Sequence, residues 1–148
     1  MIERKQRIAF RNLGELTGED AEIAARNRIG GRDLNLFRVM MHHPNLARRR
    51  TVFAGHVLQK QTLPLRDREL LILRIGWLNQ SEYEWAQHVE IAKRSGIGDA
   101  EIEQGKTGPK AGWRAHEAAL AQAPDVMCGG SDASDATWGT RRAGGTTR

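Results

Sequence analysis

One cysteine, Cys128, stands in the whole sequence, so neither an internal disulfide nor a CxxC redox pair can form. There is no apolar run of about 18 residues, the length that would suggest a membrane helix. The start, Met1-Ile2-Glu3-Arg4-Lys5, lacks the apolar stretch of a secretory signal. A cytoplasmic protein without a membrane span is therefore expected, and Asn79-Gln80-Ser81 carries no weight as a glycosylation acceptor. Large apolar side chains are also scarce. Leu, Ile, Val and Phe number 30 of 148 residues, near the border where disorder becomes a concern. Their placement decides the matter: 21 of them lie between Leu34 and Ile102, and afterwards come only Leu120 and Val126. That pattern predicts a folded centre with poorer ends.

The net charge is +5, which raises the question of nucleic acid. Residues 1–74 hold 15 Lys/Arg against 8 Asp/Glu, a balance of +7, while residues 75–148 hold 8 against 10, a balance of −2. The densest basic cluster is Arg48-Arg49-Arg50, which also fits the wet face of a helix or an anionic contact. No zinc-finger ligands, helix-turn-helix pattern or basic stripe interleaved with aromatics accompanies it, so nucleic-acid binding is not expected.

What is present reads as helices. Thr17-Gly18-Glu19-Asp20 resembles a capping box and opens a helix that stops before Gly30-Gly31. Leu34–Met41 forms a second, short segment. From Asn45, apolar residues Leu46, Val52, Phe53 and Val57 recur near the helical period with arginines between them. Arg66–Leu78 is apolar almost all round after Glu69, as suits a helix buried in a core or at a subunit contact. A strand over Leu70–Ile75 is the competing reading; the unbroken length favours helix. Asn79-Gln80 makes a turn, Ser81 starts a helix ending at Ser95, and Gly96 supplies a left-handed cap. Asp99 caps a brief helix around Ile102, residues 105–112 form a linker, and Trp113–Ala123 is a last amphipathic piece. Pro124 to Arg148 is rich in Gly, Ser, Asp and Thr and is expected to be disordered.

Several motifs fail on inspection. Gly105-Lys106-Thr107 lacks the earlier glycine and the preceding strand of a phosphate loop. His116-Glu117 begins like a zinc-protease helix but has no second histidine, and the adjacent His42-His43 before Pro44 reads as structural. No metal site is expected. The informative stretch is Glu69 to His88. Glu84 and His88 lie four apart on one helix and so share a face, with Tyr83 and Trp85 flanking Glu84. A carboxylate bonded to one imidazole nitrogen fixes the tautomer and leaves the other nitrogen to move protons. Ser81-Glu82-Tyr83-Glu84 is also a capping-box pattern, so Glu84 has a purely structural alternative. Glu69 either meets the dipole at the start of its helix or faces inward, where His88 is the evident partner.

Arg68-Glu69-Leu70-Leu71-Ile72-Leu73-Arg74, then Trp77-Leu78-Asn79, then Glu82-Tyr83-Glu84-Trp85-Ala86-Gln87-His88-Val89, resembles the carboxymuconolactone decarboxylase family. That superfamily also holds the alkylhydroperoxidase-D-like proteins. The resemblance implies an all-α fold with a central helix hairpin and assembly as a homo-oligomer, trimer or hexamer. It divides the chain into an N-terminal helical extension at 1–33, a family-like domain at 34–123 and a low-complexity tail at 124–148. The peroxidase branch uses a glutamate, a CxxC with an inner histidine, and a histidine four residues after the second cysteine. Glu69 and His88 match the glutamate and the last histidine. The cysteine positions fall on Ser81 and Glu84, and the inner histidine on Tyr83. Thiol peroxidase chemistry is therefore not expected.

The resemblance leaves proton chemistry of the decarboxylase kind on a small-molecule lactone or related carboxylic acid, without cofactor. His88 would move the proton, Glu84 or Glu69 would orient it, and Tyr83, Trp85 and Arg74 would bind substrate. The alternative is an inactive helical oligomerisation or binding protein on the same scaffold. Thr140–Arg148 departs from the family pattern in the manner of a truncated or frame-disturbed end, an expectation that the mass of the native protein tests.

Overall fold

The computed structural model describes residues 6–110 and 112–130, together with the single positions Asp135 and Gly139. The rest of the expected tail, and Ala111, lie outside the described residues. The fold is all-α, and no strand occurs among the described residues. The elements are a 3-10 turn at Leu13–Glu15 and helices α1 (Gly18–Arg26), α2 (Asn35–Met40), α3 (Pro44–Gln59), α4 (Leu65–Leu78), α5 (Glu82–Arg94), α6 (Asp99–Thr107) and α7 (Ala115–Gly130). No helix among the described residues is long and apolar enough to cross a membrane. Two compact units divide the chain, Met1–Thr62 and Leu63–Arg148.

The first unit gathers Leu16, Ile23, Ala24, Met41 and Ala47 into one buried cluster. Thr17 is the N-cap of α1, yet its side chain makes no capping hydrogen bond, so the expected capping box does not form. Pro44 opens α3, where its missing N–H and fixed φ suit the first turn. The apolar row of α3 stays outside this core: Leu46, Phe53 and Val57 are 58%, 69% and 44% exposed. Ala47 is the buried residue of that helix.

The second unit is built on the α4–α5 hairpin. Trp85, Val89 and Ala92 recur at three- and four-residue intervals along one side of α5 and meet Leu70 and Leu73 of α4, with Ile97 and Ile102 completing the cluster. The same periodicity decides where the polar residues fall. Glu69 lies four positions before Leu73, and His88 lies four before Ala92, so both sit on core-facing stripes.

The hairpin turn is a Schellman closure on a non-glycine residue. Gln80 takes φ +52 while Ser81 N–H donates to Gly76 O and Gln80 N–H to Trp77 O. Gly96 closes α5 in the same manner at φ +85, with Ile97 N–H on Ala92 O and Gly96 N–H on Lys93 O.

The main boundary differences from the sequence reading lie in α6 and α7. The N-cap of α6 is Gly98 rather than Asp99, and its N–H donates to the Glu101 carboxylate at 3.0 Å. Residues 105–107, expected in a linker, are the last turn of α6. Gly108 follows at φ +88, where an added Cβ would lie 2.6 Å from an Arg74 guanidinium nitrogen. Finally, α7 does not stop at Ala123. Pro124 is buried inside the helix, which runs on to Gly130. A mid-helix proline removes one backbone hydrogen bond, and here the following residue, Asp125, is anchored by Arg74.

Candidate active site

Glu69 is fully buried, at 0% exposure, and its two oxygens have separate partners. Oε2 accepts a hydrogen bond from His88 Nδ1 at 2.7 Å. Oε1 accepts from Arg68 Nε at 2.9 Å and from Arg68 Nη2 at 2.8 Å. Burial pushes the Glu69 carboxyl up, but the hydrogen bonds from His88 and Arg68 outweigh it and leave the group below the ordinary carboxylate value. An ionised carboxylate can only accept, so Nδ1 of His88 carries a proton and Nε2 is the nitrogen free for proton exchange.

Glu84 stands on the far side of the imidazole, its Oε2 3.6 Å from His88 Nε2. That separation exceeds a hydrogen bond, and the Glu84 side chain is 45% exposed. The capping alternative for Glu84 does not describe the structure. Ser81 makes no side-chain cap, and its backbone N–H is already taken by Gly76 O. The arrangement is thus a buried carboxylate, an imidazole 14% exposed, and a carboxylate at the surface, in that order.

The expected binding residues are placed differently from one another. Tyr83 is half-buried in the first turn of α5. Trp85 packs against the core cluster, and its ring meets Trp77 edge-on at 5.6 Å, with the Lys106 ammonium 5.4 Å from its centroid. Neighbours on a helix leave it about 100° apart, so flanking Glu84 in sequence does not make two walls around it. Arg74 is committed elsewhere. Its guanidinium grips Asp125, with Nε 2.8 Å from Oδ2, and Nη1 donates to Gly105 O at 3.1 Å and Lys106 O at 2.7 Å. With those donors occupied and the residue 6% exposed, Arg74 is a brace rather than a substrate anchor.

Arg68 was not singled out by its sequence position. Its signal was a basic residue directly before an acid in an otherwise apolar helix. A second charged cluster, without a motif in the sequence, joins α4, α6 and α7: Glu117 binds Arg66 at 2.9 Å and Arg114 at 2.7 Å, Arg66 also pairs with Glu101, and His116 Nε2 lies 2.8 Å from Asp67 Oδ2. Among the described residues no group of three or more His, Cys, Asp or Glu is placed to hold a metal ion.

That cluster makes a pH prediction. Hydrogen bonding from Arg114, then from Arg66, holds the Glu117 carboxyl down to about 2 against the pull of burial. A carboxyl depressed on folding stabilises fully above its unfolded value and loses that stabilisation as pH falls through its folded value. Unfolding free energy is therefore expected to drop by about 3 kcal/mol between pH 5 and pH 2 from this group. Glu69 and Glu101, both also lowered, act in the same direction. Thermal melts across that range should show the loss, and Glu117→Gln should melt lower at pH 7 with a flatter pH profile. An equally steep profile in the variant would assign the acid lability elsewhere.

The described residues form an all-α fold whose central hairpin buries Glu69 against His88. A model of the carboxymuconolactone decarboxylase family matches residues 44–125, more than half of the chain, and the chain belongs to that family. No curated protein and no solved structure matches it.

Proposed function

We propose that this chain is a cytoplasmic, cofactor-free acid–base enzyme acting on a lactone or a related carboxylic acid by decarboxylation. The observation that carries the reading is the 2.7 Å contact between buried Glu69 and His88 Nδ1. In the reaction, the bond from carbon to the substrate carboxylate breaks and its electron pair delocalises onto a neighbouring carbonyl. Carbon dioxide departs, and the Nε2–H of protonated His88 gives its proton to the carbon, where the electron pair forms the new C–H bond. His88 is left neutral with its proton on Nδ1, held there by Glu69. Glu84, half in water, returns a proton from solvent to Nε2. Tyr83 supplies an aromatic wall in the same turn, and Trp85 braces α5; Arg74 takes no part. The exposed row Leu46, Phe53 and Val57 of α3 supports assembly with further copies of the chain.

The test is turnover of carboxymuconolactone and related lactone acids by wild type and His88→Gln, with size-exclusion profiles alongside. Loss of about 100-fold or more in a variant that elutes like wild type is the expected result. Equal turnover in both proteins would overturn the role of His88. Two inert proteins with identical profiles would favour the alternative, a helical scaffold that binds or assembles without chemistry.

A further inference from the structure

We propose that Arg68 is a positioning residue of the Glu69–His88 pair: it claims one carboxylate oxygen of Glu69 so that the other serves His88 alone. The inference takes the proton-moving role of His88 from the reading above and adds what keeps that histidine in the form the reaction needs.

The two Arg68 groups that reach Glu69, Nε and Nη2, converge on the same atom, Oε1, at 2.9 and 2.8 Å, while Oε2 meets Nδ1 of His88 at 2.7 Å. A two-pronged grip on both oxygens would have put the arginine in competition with the imidazole; this geometry gives each oxygen one duty. Nor is the contact a by-product of helical spacing. Adjacent helical residues do not face each other, so Arg68 must fold back along α4 to reach its neighbour, and its side chain is only 19% exposed.

A carboxylate at 0% exposure needs a compensating cation, and the surrounding charges are otherwise engaged. On α4, Arg66 pairs with Glu101 of α6 and Glu117 of α7, Asp67 pairs with His116, and Arg74 holds Asp125. From α5, the groups facing this pair are His88 itself and Glu84 beyond it. Arg68 is the permanently charged contact of Glu69 in this set.

The consequence is chemical. With Arg68 in place, Glu69 remains an ionised acceptor while His88 gains and loses a proton at Nε2. Without it, the pair can neutralise itself by moving the Nδ1 proton onto Glu69. A protonated Glu69 then donates to Nδ1, and the remaining imidazole proton sits on Nε2. That is the opposite tautomer of a neutral ring, whose Nε2–H is a far weaker acid than that of the imidazolium the reaction uses, and whose Nδ1 accepts from the buried acid instead of donating to it.

The experiment uses the full-length protein labelled with nitrogen-15 in histidine and carbon-13 at the glutamate carboxyls. Long-range proton–nitrogen spectra read the His88 tautomer, and the carboxyl shift of Glu69 is followed against pH in wild type, Arg68→Gln and Arg68→Lys. The expected result is an Nδ1–H ring in wild type. Arg68→Gln should raise the Glu69 midpoint by at least about one unit, a tenfold change in its protonation equilibrium. It should also populate the Nε2–H ring, and Arg68→Lys should recover at least half of both changes. A Glu69 midpoint and a tautomer ratio in Arg68→Gln indistinguishable from wild type would overturn the proposal. So would loss of the folded circular dichroism spectrum in both variants, which would make Arg68 a support of the hairpin instead. No turnover enters this readout. An active His88→Gln would remove the proposed reaction and leave the titration standing, whereas a flat titration would remove Arg68 and leave the reaction untouched.

Discussion

Arg74→Met should lower the stability of the second unit by about 2–3 kcal/mol, the cost of leaving two helix-end carbonyls and a part-exposed carboxylate without their cation. Arg74 joins three helices from a position 6% exposed. It leaves α4, donates to Gly105 O and Lys106 O in the last turn of α6, and binds Asp125 of α7 through both Nε and Nη2. Those two carbonyls belong to a helix end whose acceptors have no partner within the helix, and a cation there also meets the favourable end of the dipole. Methionine fills much of the stem's volume but supplies no donor. Asp125 then stands beside an apolar side chain, and the α6 terminus has to find water. Asp125→Asn should cost less, about 1–2 kcal/mol, since Arg74 keeps its carbonyls and the amide still accepts. Chemical denaturation of the two variants measures both. A loss below about 1 kcal/mol for Arg74→Met would mean that solvent already reaches this junction.

Arg74 also shows where the sequence misleads. It stands five residues after Glu69 in a motif that resembles a catalytic family, so an anion-binding role was the natural expectation. Its true anion, Asp125, sits just beyond Pro124, in a stretch whose composition reads as a tail. Neither the proline nor the glycines announce that α7 continues through them, because that continuation rests on the tertiary contact itself. The same limit hid Arg68. Helical spacing identifies partners at three and four residues, and a side chain that folds back onto its immediate neighbour leaves no periodic trace.

By contrast, the hairpin was legible. An almost wholly apolar segment, a two-residue turn and a stripe at Trp85, Val89 and Ala92 leave few ways to bury both helices. Glu69 within that segment had either to face water at a helix start or to find an inward partner. Once the hairpin closes, His88 is on the facing stripe. Glu84 was ambiguous for a physical reason: the spacing that caps a helix start is close to the spacing that pairs with a histidine one turn on. The backbone settles it, since Gly76 O reaches the Ser81 N–H first.

Glu69→Gln is the substitution expected to affect the proposed chemistry most, by about 10³–10⁴ in turnover, with the fold retained. The change preserves shape and removes the charge. The amide oxygen can still accept from Nδ1–H, but the amide can equally turn and donate its N–H to an unprotonated Nδ1, so both tautomers of His88 become accessible. Arg68 loses its ionised partner while 19% exposed, which should cost about 1–3 kcal/mol of stability. The two losses separate by measurement. Thermal unfolding reports the second, and turnover at a temperature well below the melt reports the first. Glu84→Gln provides the contrast: its carboxylate is 3.6 Å from Nε2 and 45% exposed, so water can replace much of what it does. A loss of about 10-fold or less is expected there. If Glu84→Gln instead proved the more damaging of the two, the working carboxylate would be the one at the surface, and Glu69 would be a buried anchor for Arg68 and His88.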